Sequence, residues 1–516
     1  MNSLKGRVVL VGAGPGDPGL ITVRGKEAIQ HADVIVFDHL VANELVDLAP
    51  ASARRVYVGK KAGKHTLTQD RINELLVEEA RKGNAVIRLK GGDPFIFGRG
   101  GEECLFLREH DVEFSVVPGI SAAAAVPAYA GIPVTCRDIS TAFVAVTGHE
   151  HASKEQATVN WEEFARISGT LIIFMGVIRI RDITSELIKY GRSPQTPVAV
   201  IRWGTYVWQK TFTGELGRIA DEVERLHLRP PALIVVGEVV RLREQLNWFE
   251  SRPLFGRSIA VPRARSQPSR LAALLAEKGA RVIEIPAARH EPMRLPDRLG
   301  EIVRDIDTYD WLLFSGANGV DFFFDTLHEK GRDTRCLARC RIAALGDDTV
   351  AVLKTHGIGA DFAPTRFCSS SVIEELAGQF PLDGARILLI GDRQAPQGLM
   401  RELQNMRTNV ELLLISDERE KEEDFPLEYP ESGRNGRRFD LVAFSCSSTV
   451  VNFIQRMGGD ETRRIREESV FASIGARTTR KLNEYGFAPD IEAEKPDLTV
   501  FTETITAFFT DDAEKD

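Results

Sequence analysis

Short apolar runs with strand character alternate with helical patterns from one end of this 516-residue chain to the other. Examples are RVVLVG and TLIIFMG in the first half, and WLLFSG and ARILLIG in the second. Strands that are separated by helical segments favour parallel sheets with helices packed on their faces. The alternation therefore predicts an α/β fold with largely parallel sheets, and the length predicts more than one domain.

A domain junction is predicted within WFESRPLFGRS, residues 248–258. A strand and a helical segment end before it, and a Pro/Gly-containing linker then leads into a new strand. We expect one α/β unit over residues 1–250 and a separate α/β unit over residues 257–516.

The second half contains an internal repeat at an offset of 128–130 residues. Three separate features keep this offset, namely Ile259 with Ile387, Ser315 with Ser445, and Gly346 with Gly475. The repeat predicts two similar α/β lobes joined by two crossings of the chain. The charged segment 416–440 is expected to be a solvated connection that interrupts the second lobe.

Composition excludes several classes of protein. The formal net charge is -8, which disfavours nucleic-acid binding. The six cysteines have neither a CxxC pair nor a zinc spacing, so we expect no metal site and a reducing compartment. No apolar run reaches the length of a membrane span, and we expect a cytoplasmic protein without a membrane partner.

The first glycine-rich loop, GAGPGDPG at residues 12–19, only partly matches a dinucleotide-binding fingerprint. Gly12 and Gly14 fit, but Asp17 occupies the third position, where its charge would repel a diphosphate. Pro15 also lacks the N–H group that a phosphate would require. The loop therefore favours a flat, uncharged or cationic ligand.

A second loop follows the strand VIRL, in LKGGDPFIFGRGGEE. Gly91 and Gly92 permit close backbone approach, and the carboxylate of Asp93 suits an amino or hydroxyl group. A helix is expected to begin near GRGGEE, with Glu102 and Glu103 in its first turn. A plain strand–turn–helix corner is the alternative interpretation.

The two loops, with DVIVFDHLV, PGISAAAAVPAYAGIPVT and TLIIFMG, stand in the order and spacing of a known family. Residues 5–248 resemble the uroporphyrinogen-III C-methyltransferases, which are tetrapyrrole methylases. This resemblance implies two α/β domains that bind S-adenosylmethionine between them, and a homodimer. The implied cofactor contacts are Pro15, Gly91, Gly92, Asp93, Ile96, Ser121, Ala122, Met175, Gly204 and Ala232.

The same resemblance implies an acid–base role for Asp38, with Lys60 as its partner. The alternatives are a turn-capping aspartate and an exposed surface lysine. Cationic side chains are expected to bind the eight carboxylates of the substrate, unless they form a solvated positive face. The candidates are Lys60, Lys61, Lys64, His65, Arg88, Lys90, Arg99 and Arg137.

The second half lacks any nucleotide, metal or triad motif, so its residues alone indicate a two-lobed protein with a ligand cleft. Its segments WLLFSGANGVDFFF, ARILLIGDRQAPQGLMREL and DLVAFSCSSTVVNF resemble uroporphyrinogen-III synthase. That resemblance implies cofactor-free closure of hydroxymethylbilane, with substrate contacts at Ser315, Asn318, Ser447 and Thr478. Each could instead cap a helix. Ser416 stands where the family has a candidate catalytic tyrosine, so the acid of this half is not assigned.

Together the two resemblances imply a bifunctional enzyme of tetrapyrrole biosynthesis. The second half would form uroporphyrinogen III, and the first would methylate it twice to precorrin-2, which leads to sirohaem and cobalamin. The alternative is another tetrapyrrole methyltransferase joined to a non-catalytic tetrapyrrole-binding module.

Overall fold

The chain forms four sheets of four or five strands and one two-stranded ribbon in a computed structural model, within the residues that the structure describes. The described residues are 6–59, 67–148, 159–263, 269–285, 291–292, 296–364, 369–391, 396–414, 416–417 and 439–513. The predicted α/β class is confirmed. In these ranges no helix is both long enough and apolar enough to cross a bilayer.

The first sheet is entirely parallel and has the order β3-β2-β4-β1-β5. Its strands are β1 (Arg7–Gly12), β2 (Val34–Phe37), β3 (Arg54–Tyr57), β4 (Ala85–Lys90) and β5 (Glu113–Val117). The accompanying helices are α1 (Val23–Gln30), α2 (Asn43–Val46), α3 (Gln69–Arg81), α4 (Gly100–Glu109) and α5 (Ala122–Tyr129). Val9 and Val11 of β1 join one apolar cluster, while Val8 and Leu10 join another. The sheet is thus buried on both faces, as a parallel sheet requires.

The second sheet is mixed, with the order β6-β7-β10-β8-β9, and departs from the predicted parallel pattern. Its strands are β6 (Phe143–Thr147), β7 (Thr170–Phe174), β8 (Pro197–Arg202), β9 (Lys210–Glu215) and β10 (Ala232–Val236). Only β6 and β7 pair in parallel, because the short 203–209 connection turns β9 back onto β8 and β10 runs antiparallel between β7 and β8. The helices of this part are α6 (Trp161–Arg166), α7 (Ile180–Lys189), α8 (Ile219–Arg225) and α9 (Arg243–Leu246).

The second half continues the alternation of strands and helices. Its strands are β11 (Ser258–Pro262), β12 (Arg281–Ile285), β13 (Glu291–Pro292), β14 (Trp311–Phe314), β15 (Arg341–Ala344), β16 (Arg386–Gly391), β17 (Asn409–Leu414), β18 (Ser416–Asp417), β19 (Leu441–Phe444), β20 (Val470–Ser473) and β21 (Ile491–Glu492). Its helices are α10 (Arg270–Glu277), α11 (Pro296–Arg304), α12 (Ala317–Glu329), α13 (Asp347–Thr355), α14 (Ser369–Gln379), α15 (Pro396–Asn405), α16 (Ser447–Met457), α17 (Gly459–Glu468), α18 (Ala476–Glu484) and α19 (Leu498–Ala513).

Two lobes are present, but each lobe contains strands from both copies of the sequence repeat. Lobe A is built on the sheet β12-β11-β19-β20-β21, and lobe B on the sheet β15-β14-β16-β17. The offset relates β11 to β16 and β14 to β19, so each repeat gives strands to both lobes. The chain leaves lobe A after β12 and returns at β19. The charged segment therefore connects the lobes and does not interrupt one of them; residues 418–438 of it lie outside the described residues.

A cross-strand hydrogen bond recurs at equivalent positions of the repeat. Before β14, Oδ2 of Asp310 accepts a hydrogen bond from the N–H of Arg386 at 2.8 Å. Before β19, Oδ2 of Asp440 accepts one from the N–H of Ser258 at 2.7 Å. In both lobes an aspartate therefore fixes the start of the neighbouring central strand.

The linker packs against the start of lobe A. The backbone N–H of Leu254 donates to the carbonyl of Lys278 at 3.0 Å. The Arg252 guanidinium lies 4.2 Å from the Phe249 ring centroid, and that of Arg281 lies 4.5 Å from the Trp208 ring centroid. These contacts join the two halves at the α10–β12 corner.

Candidate active site

A cavity of about 1070 Å³ is lined by both sheets of the first half, where strands β1, β2 and β4 end and near the ends of β7, β8 and β10. Side chains that follow parallel strands meet at one edge of the sheet, which is where α/β proteins bind ligands. Asp38 lines this cavity, and so do all ten positions that the sequence assigns to the cofactor: Pro15, Gly91, Gly92, Asp93, Ile96, Ser121, Ala122, Met175, Gly204 and Ala232. Their contact with a cofactor stays a prediction.

Only some of the cationic residues that were predicted to bind substrate carboxylates line the cavity. Arg88, Lys90 and Arg99 line the cavity. Arg137 is exposed and is not among the lining residues. The remaining ones, including the predicted catalytic partner, lie outside the described residues; these are Lys60, Lys61, Lys64 and His65.

The two glycine-rich loops are joined directly by their backbones. The N–H of Gly14 donates to the carbonyl of Gly92 at 3.2 Å, and the N–H of Gly92 donates to that of Gly14 at 2.6 Å. A Cβ atom on Gly12 would lie 2.7 Å from the Gly92 oxygen, and one on Gly119 would lie 2.6 Å from Gly12 Cα. Only glycine permits this packing of three backbone segments.

The first loop is poorly suited to phosphate, because several of its N–H groups are used within the protein. The N–H of Gly14 is bonded to Gly92, and that of Gly19 is bonded to Oδ1 of Asp17 at 2.8 Å. The N–H of Asp17 donates to Oγ1 of Thr205 at 3.0 Å. Since Pro15 has no N–H, the loop lacks the donors that dinucleotide sites present to a diphosphate.

Asp17 holds the loop in place and does not line the cavity. Its Oδ2 accepts a hydrogen bond from the Tyr129 hydroxyl at 2.7 Å. Burial of the Tyr129 ring, and then this carboxylate, raise the pKa of the phenol, which therefore stays a donor. The acidic residue that sets this loop apart from a dinucleotide fingerprint is thus used for tertiary packing.

Asp93 fixes the second loop to the segment that precedes α5. Its Oδ1 accepts from the N–H of Phe95 at 2.8 Å, and its Oδ2 accepts from the N–H of Gly119 at 3.0 Å. Ser121 is the N-cap of α5, where its hydroxyl accepts from the N–H of Ala123 at 3.2 Å. Both residues line the cavity.

Part of the cavity lining, in the second loop and beyond β7 and β8, has a strained backbone. Four lining residues other than glycine have left-handed backbone angles, namely Phe97, Arg99, Met175 and Trp203, with φ between 50° and 58°. Such residues persist only where the surrounding structure imposes them, and they concentrate at functional sites. The sequence did not identify Phe97 and Trp203 as cavity residues. The signal that could have found them is an aromatic residue directly before a glycine, Gly98 or Gly204, close to the end of a strand.

Charged side chains are buried beneath the cavity. The side chain of Arg88 is 4 % exposed and lies 3.6 Å from Oδ2 of Asp38. Oδ1 of Asp38 accepts from the N–H of Leu40 at 3.1 Å, as the turn-capping alternative predicted, but the side chain stays 25 % exposed and lines the cavity. Glu103 is fully buried next to Arg88 and Lys90. Glu102, one residue earlier in α4, pairs with Arg99 in solvent.

In the second half the predicted residues lie in both lobes. Ser315 follows β14 in lobe B, and its hydroxyl donates to the carbonyl of Ile390 at 3.2 Å. Asn318 lies in the first turn of α12, with its side chain outside the described part. Ser447 begins α16 in lobe A and donates to the carbonyl of Arg477 at 3.4 Å, next to Thr478, which is only 3 % exposed. The substrate role of these four residues stays a prediction.

Glycines, not hydroxyl residues, stand at the N-cap of three helices that follow strands in the two lobes. Gly316, Gly346 and Gly475 begin α12, α13 and α18, and none of these ends has a side-chain cap hydrogen bond. Uncapped N–H groups and the helix dipole make such ends suitable for anions. Backbone N–H donors at these strand ends are expected from the resemblance, but the three glycine caps are not evident from the sequence.

Two family models match separate parts of the chain. Residues 7–220 match the family model of the Tetrapyrrole (Corrin/Porphyrin) Methylases. Residues 269–502 match the model of Uroporphyrinogen-III synthase HemD.

Curated relatives cover one or both halves. Porphyrin biosynthesis protein HemD of Ruminiclostridium josui is 38% identical over 70% of this chain and 72% of its own length. Uroporphyrinogen-III C-methyltransferase of Bacillus subtilis is 41% identical over 68% of this chain and 72% of its own. S-adenosyl-L-methionine-dependent uroporphyrinogen III methyltransferase of Methanosarcina barkeri is 49% identical over 48% of this chain and 96% of its own.

Proposed function

This chain belongs to the tetrapyrrole methylases in its first half and to the uroporphyrinogen-III synthases in its second, and on that premise we propose that it is a bifunctional enzyme of tetrapyrrole biosynthesis. The first unit, residues 1–250, is an S-adenosylmethionine-dependent methyltransferase that converts uroporphyrinogen III to precorrin-2. The second unit, residues 257–516, closes hydroxymethylbilane to uroporphyrinogen III. The product of one unit is therefore the substrate of the other.

The cavity of the first half fits S-adenosylmethionine, which supplies an electrophilic methyl group when it is bound. Gly91 and Gly92 line the cavity without side chains, and the N–H groups of Gly14, Asp17 and Gly19 are bonded within the protein. Met175 and Ile96 are 51% and 44% exposed and form an apolar wall. Asp93 and Ser121 lie among the residues that would hold the polar groups of the cofactor.

Asp38 would accept the proton that the substrate ring loses after methylation. It lines the cavity with part of its side chain exposed, and the guanidinium of Arg88 lies 3.6 Å from its Oδ2. The protein otherwise contributes mainly by holding the two reactants in line inside the cavity. Lys60 is the second proposed catalytic residue, and its role rests on the family resemblance alone.

The synthase unit needs to hold a flexible chain that carries eight carboxylates. The uncapped, glycine-led ends of α12 and α13 in lobe B and of α18 in lobe A provide backbone N–H donors without a competing side chain. Ser315 and Ser447 lie close to these ends. We propose that the bilane is bound between the lobes by such groups, without a cofactor.

The proposed assembly is a homodimer through the first half, acting on small tetrapyrroles in the cytoplasm without nucleic acid or membrane. Large exposed apolar side chains support this proposal, because Ile178, Leu105 and Phe95 are 81%, 65% and 58% exposed on the first half. Light scattering of the purified protein measures the assembly directly. A mass of one chain at micromolar concentration would contradict the dimer.

The single observation that carries the function is that the two halves match two enzyme families whose reactions follow one another in tetrapyrrole biosynthesis. The test supplies the full-length protein with hydroxymethylbilane and a methyl-labelled donor, and separates the products by chromatography. We expect a labelled dimethylated product of the type III isomer. Uroporphyrinogen I, which forms spontaneously, as the sole product would exclude the synthase activity. Type III product without label would exclude the methyltransferase activity.

A further inference from the structure

A carboxylate with an incomplete set of partners lies under the floor of the cavity. The side chain of Glu103 is 0% exposed. Its Oε1 accepts from Nζ of Lys90 at 2.7 Å and from Nε2 of Gln69 at 3.1 Å, and Nε of Arg88 lies 3.4 Å away. Its Oε2 has no hydrogen-bond partner among the described residues.

Lys90 and Arg88 connect this carboxylate to the ligand space. They alternate on β4, so both side chains lie on one face of the sheet, and both line the cavity. An ammonium group has three donor hydrogens, and within the described part of the chain Lys90 donates only to Glu103. Arg88 is further engaged, because its guanidinium lies 3.6 Å from the Asp38 carboxylate and donates to the carbonyls of Val36 and Leu89. The remaining donor hydrogens of Lys90 are therefore the main cationic donors at the cavity floor.

We propose that Glu103 is a positioning residue of the methyltransferase unit, which holds Lys90 and Arg88 as a cationic pair that receives a carboxylate of the tetrapyrrole. This inference rests on the proposed function, because it takes a polycarboxylate as the ligand. Without Glu103, the Lys90 side chain would lose its hydrogen-bonded anion and leave its present position. Lysine and arginine side chains bind carboxylates through short, charge-assisted hydrogen bonds, which require the cations to be held in position.

The ionisation of Lys90 depends on every charged group that faces it. Burial, and then Arg88 on the same strand, lower the pKa of Lys90, whereas Glu103 on α4 and Asp38 after β2 oppose that decrease. On α4, Glu102 pairs with Arg99, and Cys104 stays a neutral thiol because burial raises its pKa to about 11. Removal of the Glu103 charge therefore lowers the pKa of Lys90 further.

The chain offers a matched control for a purely structural ion pair. Glu79 on α3 is also buried, with its side chain 4% exposed between Lys82 at 2.6 Å and Arg54 at 2.7 Å. Like Glu103 it lies between a lysine and an arginine, but it does not line the cavity. The two glutamates also differ in their cations, because Arg54 and Lys82 are 54% and 60% exposed.

The experiment compares Glu103→Gln with Glu79→Gln in the full-length enzyme. With saturating methyl donor, we expect Glu103→Gln to raise KM for uroporphyrinogen III by about 10- to 100-fold, the equivalent of one charge-assisted hydrogen bond. Affinity for S-adenosylmethionine, measured by calorimetry, should stay within about twofold of wild type. Glu79→Gln removes a buried carboxylate that does not line the cavity, and it should leave KM within about twofold of wild type.

The pH profile separates positioning from stability. Lys90 binds the carboxylate while it is protonated, so KM should rise as the pH increases through the Lys90 pKa. In Glu103→Gln this rise should move to lower pH, and in Glu79→Gln it should not move. An unchanged KM and pH profile in a folded Glu103→Gln protein would overturn the inference.

Two further measurements keep the inference testable. Should Glu103→Gln fail to fold, Lys90→Met should weaken binding while Lys90→Arg retains it, and equal affinity for these two variants would overturn the inference. Binding of uroporphyrin III, followed by the quenching of its fluorescence, does not require turnover. A wild-type protein that binds this probe but transfers no methyl group would refute the proposed function. In that case the affinities of the wild type and Glu103→Gln for uroporphyrin III still decide the role of Glu103.

Discussion

Asp93 provides the sharpest test of the cofactor assignment. Replacement by alanine removes two hydrogen bonds to backbone N–H groups, those of Phe95 at 2.8 Å and Gly119 at 3.0 Å. Charge-assisted bonds of this type contribute about 1.5–3 kcal/mol when buried, and the partial exposure of Asp93 reduces this to about 1 kcal/mol each. The second loop would lose about 2 kcal/mol of stabilisation in its present conformation, against itself and the segment before α5, which corresponds to an affinity for S-adenosylmethionine that is about 30-fold weaker.

Titration calorimetry with S-adenosylmethionine measures this change, and asparagine at position 93 should give an intermediate result because its amide oxygen retains one acceptor. Asp497 is the matched control, since its carboxylate also accepts two backbone N–H groups, those of Thr499 and Val500, but in the synthase unit. Asp497→Ala should not alter the affinity, and Asp93→Ala should leave the synthase reaction intact. If Asp93→Ala bound S-adenosylmethionine as tightly as wild type, the assignment of this loop would be refuted.

The other predictions concern packing and ionisation. Gly119→Ala should weaken S-adenosylmethionine by about 5- to 150-fold in calorimetry, because overpacking against backbone costs about 1–3 kcal/mol, whereas Gly101→Ala meets open space and should bind normally. Asp440→Ala should destabilise lobe A by about 1–3 kcal/mol in chemical denaturation, because a buried N–H loses its acceptor; an unchanged midpoint would contradict this. Burial, and then a bond to Glu411, raise the pKa of Tyr309 to about 12, so its stabilisation is complete below pH 10 and is lost as the pH rises through 12. Tyr309→Phe should abolish that part of the alkaline unfolding profile, and an unaltered profile would exclude the assignment.

The sequence predicted the cavity through local patterns. Gly12, Asp38 and Gly91 each stand where a strand ends, and parallel strands that end together bring such residues to one edge. The ten cofactor positions came from resemblance, and the structure places them around that same edge. The sequence did not reveal the partners of Asp17 and Glu103. Two neighbouring glutamates look alike in a sequence, yet only Glu103 points inward, since adjacent helical residues are about 100° apart.

The amino-acid sequence by itself determined the α/β class, the two glycine-rich loops and the repeat of the second half, because these depend on periodicity and on residues that are neighbours in the chain. Only the tertiary structure decided that each repeat is shared between lobe A and lobe B. Strands related by the repeat, such as β11 and β16, carry similar apolar faces, so local pattern does not distinguish pairing within a repeat from pairing across repeats. The choice depends on which distant surfaces bury each other, and that is a property of the whole folded chain.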